Sequence, residues 1–284
     1  MAPTLEPSDR YQLATPDGPT LEAFCWSPPE PRAALLLVHG IGEHCQRYGN
    51  LIQALLDRQI TVLAYDLRGH GLSRGPRVFV DRFDTYLTDL DLAIGSALSR
   101  TAPLPLFLMG HSMGGTIVAL HAIERAATPS PVRGRIVSSA AVQLGDDIPA
   151  WLQSISRFLG RVLPHMPTVK LDSAGLSRIA EVAEAYDADP LVNHKGTPAR
   201  TGAELVEAMK RIQSGMGRIS EPLLIRHGAA DTLCLPAGSQ LLYDGVASSD
   251  KTLAVYPDAY HELHNDLDRQ ANLADLANWI ESRV

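Results

Sequence analysis

Short apolar runs alternate along this chain with longer segments of helical periodicity. The runs AALLLVHG, ITVLAYDL, LPLFLMGH, GRIVSSA, PLLIRHG and KTLAVY have strand length, and most close on a turn-prone residue. Between them, DRFDTYLTDLDLAIGSAL sets Phe83, Tyr86, Leu87, Leu90, Ile94 and Leu98 on one helical face. The closing segment NDLDRQANLADLANWIESRV is helical in pattern too. Strand and helix in this order predict an α/β fold, a mostly parallel sheet with helices on both faces. The first segments, YQLATPDG and LEAFCWS, read as an antiparallel pair feeding that sheet.

The alternation breaks after Val142. From there to Ser220 no buried strand is evident, and the stretch is too long for a plain loop, so it reads as an inserted helical unit. Its first part gathers Trp151, Leu152, Ile155, Phe158, Leu159, Val162 and Leu163 into one stripe, with Gln153, Arg157 and Arg161 opposite. Such a stripe either packs on the body of the protein or covers a binding site and touches lipid.

Length and composition suit one domain carrying that excursion: 284 residues, 45% of them hydrophobic. The expected division is a core of residues 1–141 and 221–284 with a helical cap, or lid, at 142–220. A net charge of −7 offers no basic field for a phosphate backbone, which argues against a nucleic-acid partner. Cys25, Cys45 and Cys234 are odd in number, far apart and without CxxC spacing. They suggest neither a disulfide framework nor a zinc site, and a reducing cytoplasm is the expected compartment. The N-terminus lacks the apolar core of a signal peptide, and no run of about 18 apolar residues occurs.

The stretch GHSMGG, residues 110–115, sits between a strand-like run and a helix-like run. A serine on so tight a turn needs small neighbours, which Gly110 and Gly114 supply, and its hydroxyl is then lifted off the sheet. Ser112 is the candidate nucleophile, and the Met113 N–H at the helix start is a candidate oxyanion donor. A base must take the serine proton and a carboxylate must orient that base, in the chain order Ser, acid, His. After PLLIRHG comes Asp231, and after KTLAVY comes His261. Of the rival acids, Asp258 shares the His261 loop, Asp266 reads as a cap of the last helix, and Glu262 should point elsewhere. His111 should project away from the serine hydroxyl and hold a structural hydrogen bond, while His70 and His227 read as loop fasteners. The second oxyanion donor is expected from HGIGEH, residues 39–44, at the Ile41 N–H. No metal pattern is evident, and the chemistry needs no cofactor.

HGIGEHCQRY, DLRGHGLSRGPR, GHSMGG, AYDADPLV, ADTLC and DKTLAVYPDAYHELH, taken together, resemble the monoacylglycerol lipases of the α/β-hydrolase superfamily over nearly the whole chain. The resemblance implies an α/β-hydrolase fold and cleavage of monoacylglycerols to glycerol and a fatty acid. It also implies that Glu43, Arg47 and His264 recognise the glycerol head, that Tyr186 lines the alcohol side of the pocket, and that Cys234 lies near the site. The segment AWLQSISRFLGRVLPHMP keeps an amphipathic plan but departs in sequence, so the resemblance carries less about membrane contact through the cap. A lysophospholipase or a broad carboxylesterase would use the same machinery. A binding protein without catalysis and a cofactor-free haloperoxidase are readings from other classes. The sequence leaves oligomeric state open.

Overall fold

The computed structural model of the protein describes residues 5–145 and 158–284. Eight strands form one sheet: β1 (Asp9–Ala14), β2 (Thr20–Trp26), β3 (Ala33–Val38), β4 (Ile60–Tyr65), β5 (Leu106–His111), β6 (Gly134–Ser138), β7 (Leu223–Gly228) and β8 (Lys251–Tyr256). Their spatial order is β1-β2-β4-β3-β5-β6-β7-β8. The β1–β2 and β2–β4 pairs are antiparallel and every other pair is parallel, as the opening hairpin and the later apolar runs predict.

Helices α1 (Gly49–Leu56), α2 (Asp84–Thr101), α3 (Met113–Glu124), α4 (Ala180–Ala188), α5 (Ala199–Gly215), α6 (Pro236–Gly245) and α7 (Arg269–Glu281) complete the regular elements named here. Strands β3, β4, β5, β6 and β7 are buried at every position, which explains why they read as unbroken apolar runs rather than alternating ones. Side chains still alternate in destination. Leu36 and Val38 of β3 join a core with Leu90 of α2 and Ile117 of α3, while Leu35 and Leu37 join a second core with Leu51 of α1 and Leu276 of α7. Two cores on opposite faces make the molecule a doubly wound α/β fold.

Chain direction reverses its spread at β3, which has β4 on one side and β5 on the other. In open parallel sheets a crevice forms at the carboxyl ends of the strands beside such a point. The loops after β3, β5, β7 and β8 all emerge at that end, and they carry residues 39–44, Ser112, Asp231 and His261.

The described part of 142–220 contributes no strand to the sheet. It holds a helical stretch at 158–162, a 3-10 turn at Ser173–Gly175, and helices α4 and α5. Ala208 and Ile212 of α5 lie in the same core as Ile117 of α3, so this helix is fastened to the body. Trp151, Leu152 and Ile155 lie outside the described residues. In the remainder of the stripe Phe158 is 63% exposed, Val162 55% and Leu163 50%, so these side chains face outward instead of packing on the body. None of the described helices is long and apolar enough to cross a membrane.

One expectation needs correction at the last helix. Asp266 does not cap it, because α7 begins three residues later and its flanking residue is Asp268. Asp266 is buried and accepts the Tyr260 N–H at 2.8 Å and the Arg178 N–H at 2.9 Å, tying the His261 loop to the segment that precedes α4.

Candidate active site

Ser112 follows β5 directly, with φ +54° and ψ −123°, and α3 starts at the next residue. The turn is possible because its neighbours lack side chains. A Cβ on Gly110 would sit 2.1 Å from the Gly114 carbonyl oxygen, and one on Gly114 would sit 2.2 Å from that of Val38. The Ser112 N–H donates to the Ser138 carbonyl at 2.9 Å, which fixes the elbow to β6. Among the described residues its Oγ has only a 4.0 Å contact to the Cys234 Sγ.

Asp231 and His261 meet behind it. The His261 Nδ1 lies 2.7 Å from the Asp231 Oδ2, and His261 lines the same cavity as Ser112. Burial would lower the His261 pKa, but the Asp231 carboxylate outweighs it and holds the imidazole above its ordinary value. Asp231 is in turn held well below the usual carboxylate range: burial opposes ionisation, and the charge and hydrogen bonds of its donors overcome it. Those donors are His261, His227 Nε2 at 3.0 Å on the same oxygen, and the Leu233 and Cys234 N–H groups at 2.8 and 3.0 Å on the other.

Ile41 and Met113 flank the serine from two loops. Among the described residues neither backbone N–H has a partner: Met113 opens a helix, where N–H groups have no intrahelical acceptor, and Ile41 lies in an irregular turn. Three groups around Ile41 are engaged. The Gly40 N–H donates to Glu43 Oε1 at 2.7 Å, the His39 Nδ1 lies 2.7 Å from the Gly40 carbonyl, and the Gly42 carbonyl accepts the Asn193 N–H at 2.7 Å.

Glu43 is buried and Arg47 is partly so, its side chain 9% exposed. Glu43 Oε1 also accepts the Tyr48 hydroxyl at 2.7 Å, and Glu43 Oε2 accepts Arg47 Nη1 at 2.7 Å. The Tyr186 ring of α4 covers the guanidinium at 4.7 Å and lines the Ser112 cavity, which is nearly closed at about 10 Å³. His264 stands apart. It is 1% exposed, stacks on Tyr48 at 4.4 Å, is absent from the cavity wall, and has no hydrogen bond at either ring nitrogen among the described residues. Burial and the nearby cations push its pKa well down, so it is neutral.

His111 departs from expectation. It lines the cavity with Ser112, its Nδ1 has no partner among the described residues, and its ring packs against His261 at 4.6 Å. Cys45 is fully buried and its thiol pKa is raised by burial, whereas Cys234 lies beside the serine. Among the described residues no cluster of His, Cys, Asp and Glu is arranged to hold a metal.

Three residues near the site escape sequence reasoning. Glu262, which sequence adjacency alone set aside, bonds Arg47 twice, at 2.6 and 3.2 Å. Ser139 donates to the His261 carbonyl at 2.8 Å, so the β6 end fixes both the serine and the histidine loops. His227 does more than fasten a loop: its Nδ1 faces Ser239 Oγ at 2.6 Å, which leaves Nε2–H to donate to Asp231. The HG pair ending β7 was the available signal for it. His227→Leu should lower kcat/KM for ester hydrolysis by about ten- to hundredfold, the worth of one hydrogen bond to a carboxylate. His227→Gln, which restores an N–H at similar reach, should recover most of that; steady-state kinetics of the two variants check it.

Fold and site geometry together define an α/β hydrolase. The family described as serine aminopeptidase, S33, matches residues 29–268. The monoglyceride lipase of Rattus norvegicus is 35% identical over 97% of this chain and 91% of its own length. The monoacylglycerol lipase of Mycolicibacterium smegmatis is 36% identical over 91% of this chain and 92% of its own. The crystal structure of Paleococcus ferrophilus monoacylglycerol lipase superposes with a TM-score of 0.83 at 31% identity, covering 93% of this chain and 99% of that one. The chain belongs to the monoacylglycerol lipase family of the α/β hydrolases.

Proposed function

We propose that the protein hydrolyses monoacylglycerols to glycerol and free fatty acid through a Ser112–His261–Asp231 triad. The observation that carries this reading is the 2.7 Å pair of Asp231 and His261 beside a serine on a positive-φ elbow, flanked by two unengaged N–H groups. His261 takes the Ser112 proton as the hydroxyl attacks the ester carbonyl, and returns it to the leaving glycerol oxygen. Asp231 fixes the tautomer that leaves His261 Nε2 free to accept. The Ile41 and Met113 N–H groups receive the oxyanion, an interaction worth about 3–4 kcal/mol for a single donor in comparable sites. Water then attacks the acyl-enzyme by the same route.

The glycerol end is assigned to Glu43, Arg47 and Tyr186, with His264 supporting them from behind Tyr48. Monoacylglycerol as substrate is supported by the relatives that share this architecture and by a head region built of hydrogen-bonding groups. Residues 142–220 act as the cap. A cavity of about 10 Å³ lies far below the roughly 300 Å³ at which sites for drug-sized ligands begin, so acyl entry requires the residues around it to part. The exposed Phe158, Val162 and Leu163 suit transient contact with a lipid surface. A reducing cytoplasm suits the free cysteines.

The test is fatty-acid release from monooleoylglycerol, dioleoylglycerol and oleoyl-lysophosphatidylcholine in parallel, with Ser112→Ala as blank. The monoacylglycerol should be turned over fastest by at least about tenfold, a margin of roughly 1.4 kcal/mol. Equal rates on all three would make the protein a broad carboxylesterase, and a preference for the phospholipid would make it a lysophospholipase.

A further inference from the structure

Among the described residues lining the Ser112 cavity, Arg47 is the single permanent cation, and it faces two carboxylates. An unpaired arginine beside the reacting ester would recruit phosphate, since a guanidinium binds it bidentately. Here three of its five N–H donors and one face are already taken. Nη1 bonds Glu43 Oε2 at 2.7 Å and Glu262 Oε1 at 2.6 Å, Nη2 bonds Glu262 Oε2 at 3.2 Å, and Tyr186 covers the planar face. The groups are nearly dry, with side-chain exposures of 9% for Arg47, 5% for Glu43 and 1% for Glu262. Glu43 accepts from the Gly40 N–H, the Tyr48 hydroxyl and Arg47; burial pushes its pKa up, against the pull of the Arg47 charge and of these donors. Asn265 Nδ2 donates to Glu262 Oε2 at 2.7 Å and holds the second carboxylate in place.

We propose that Glu262 sets the head-group charge selectivity of the site: monoacyl esters with a neutral or cationic alcohol are accepted, and those with an anionic alcohol are rejected. Two carboxylates face the one guanidinium, so no cationic charge is left over, and a phosphorylated alcohol would have to bury its charge against them uncompensated. A neutral hydroxyl meets no such barrier. It can accept from the N–H groups that Arg47 has left over and donate to the remaining lone pairs of Glu262. The proposal rests on the monoacylglycerol reading only for the identity of the neutral alcohol.

The experiment uses three butyrate esters, those of glycerol, glycerol 3-phosphate and choline, so that only the alcohol's charge and shape vary. For the wild type, kcat/KM for the phosphate ester should fall at least about 100-fold below that for the glycerol ester, with the choline ester within about tenfold of it. Glu262→Gln should raise the ratio of phosphate to glycerol ester at least about tenfold, whereas a merely structural role would lower all three rates together and leave the ratio unmoved. Should Glu262→Gln not fold, the wild-type ratio measured at low and at 1 M salt replaces it. Discrimination by buried charges persists under salt, and discrimination by surface charges collapses. Parity between the phosphate and glycerol esters in the wild type, an unmoved ratio in a folded Glu262→Gln, or a ratio that salt abolishes would each overturn the proposal. If the choline ester is cleaved more than about tenfold faster than the glycerol ester while the phosphate ester stays at least about 100-fold below both, the monoacylglycerol reading fails and the charge rule stands.

Discussion

Replacing Ser112 by alanine should lower kcat for ester hydrolysis by about 10⁶-fold, the loss seen when a triad serine is removed from a serine hydrolase. The size follows from the chemistry: without Oγ no acyl-enzyme forms, and what remains is the contribution of binding and of the oxyanion donors. Stability should hardly change. Ser112 Oγ makes no short hydrogen bond among the described residues, its one polar neighbour being the Cys234 Sγ at 4.0 Å, and alanine at φ +54° is no more strained than serine. Thermal melting of the variant alongside its residual rate checks both halves. A loss of only about tenfold would mean that another nucleophile does the work.

Asp231→Asn should lower kcat by about 10⁴-fold, and it should also move the pH profile in a defined direction. In the wild type the base must be neutral, and Asp231 outweighs burial to hold His261 above its ordinary value. Activity should therefore fall as pH drops through a midpoint above about 6.5, the ordinary histidine value. Asparagine removes the negative charge that raised the pKa and leaves the burial that lowers it, so the residual activity should titrate with a midpoint below that of the wild type. The amide also breaks the local pattern. The Asp231 carboxylate accepts from four donors, and an asparagine must turn an N–H toward one of them. A variant that loses rate but keeps the wild-type midpoint would show that Asp231 acts on His261 through position alone.

The strands and the placing of Ser112, Asp231 and His261 on the loops after β5, β7 and β8 were legible because each rests on a local rule. Parallel strands buried on both faces read as apolar runs, and a serine elbow needs glycine at fixed spacing whatever lies elsewhere in the chain. The buried polar cluster was not legible in the same way. Arg47 and Glu262 are 215 positions apart, and nothing in either segment announces the other. Adjacency misled at His261, where Glu262 looked like a bystander and turned out to line the cavity. Asp266 failed for a different reason: a helix start inferred from composition came three residues early, so an interior anchor was read as a cap. The stripe in the cap shows the limit of periodicity. Periodicity says which side chains share a face but not whether protein covers that face, and among the described residues Phe158, Val162 and Leu163 are exposed while Leu159 is half-buried.

The central claim is that Ser112 is the nucleophile of an ester hydrolase, and covalent capture tests it most directly. The protein would be treated with a fluorophosphonate ester, digested, and its peptides weighed by mass spectrometry. The account predicts one adduct per chain, on the peptide holding Gly110–Gly115, formed faster as pH rises through the His261 titration and absent in Ser112→Ala. An adduct on another residue, or none while ester hydrolysis proceeds, would contradict it.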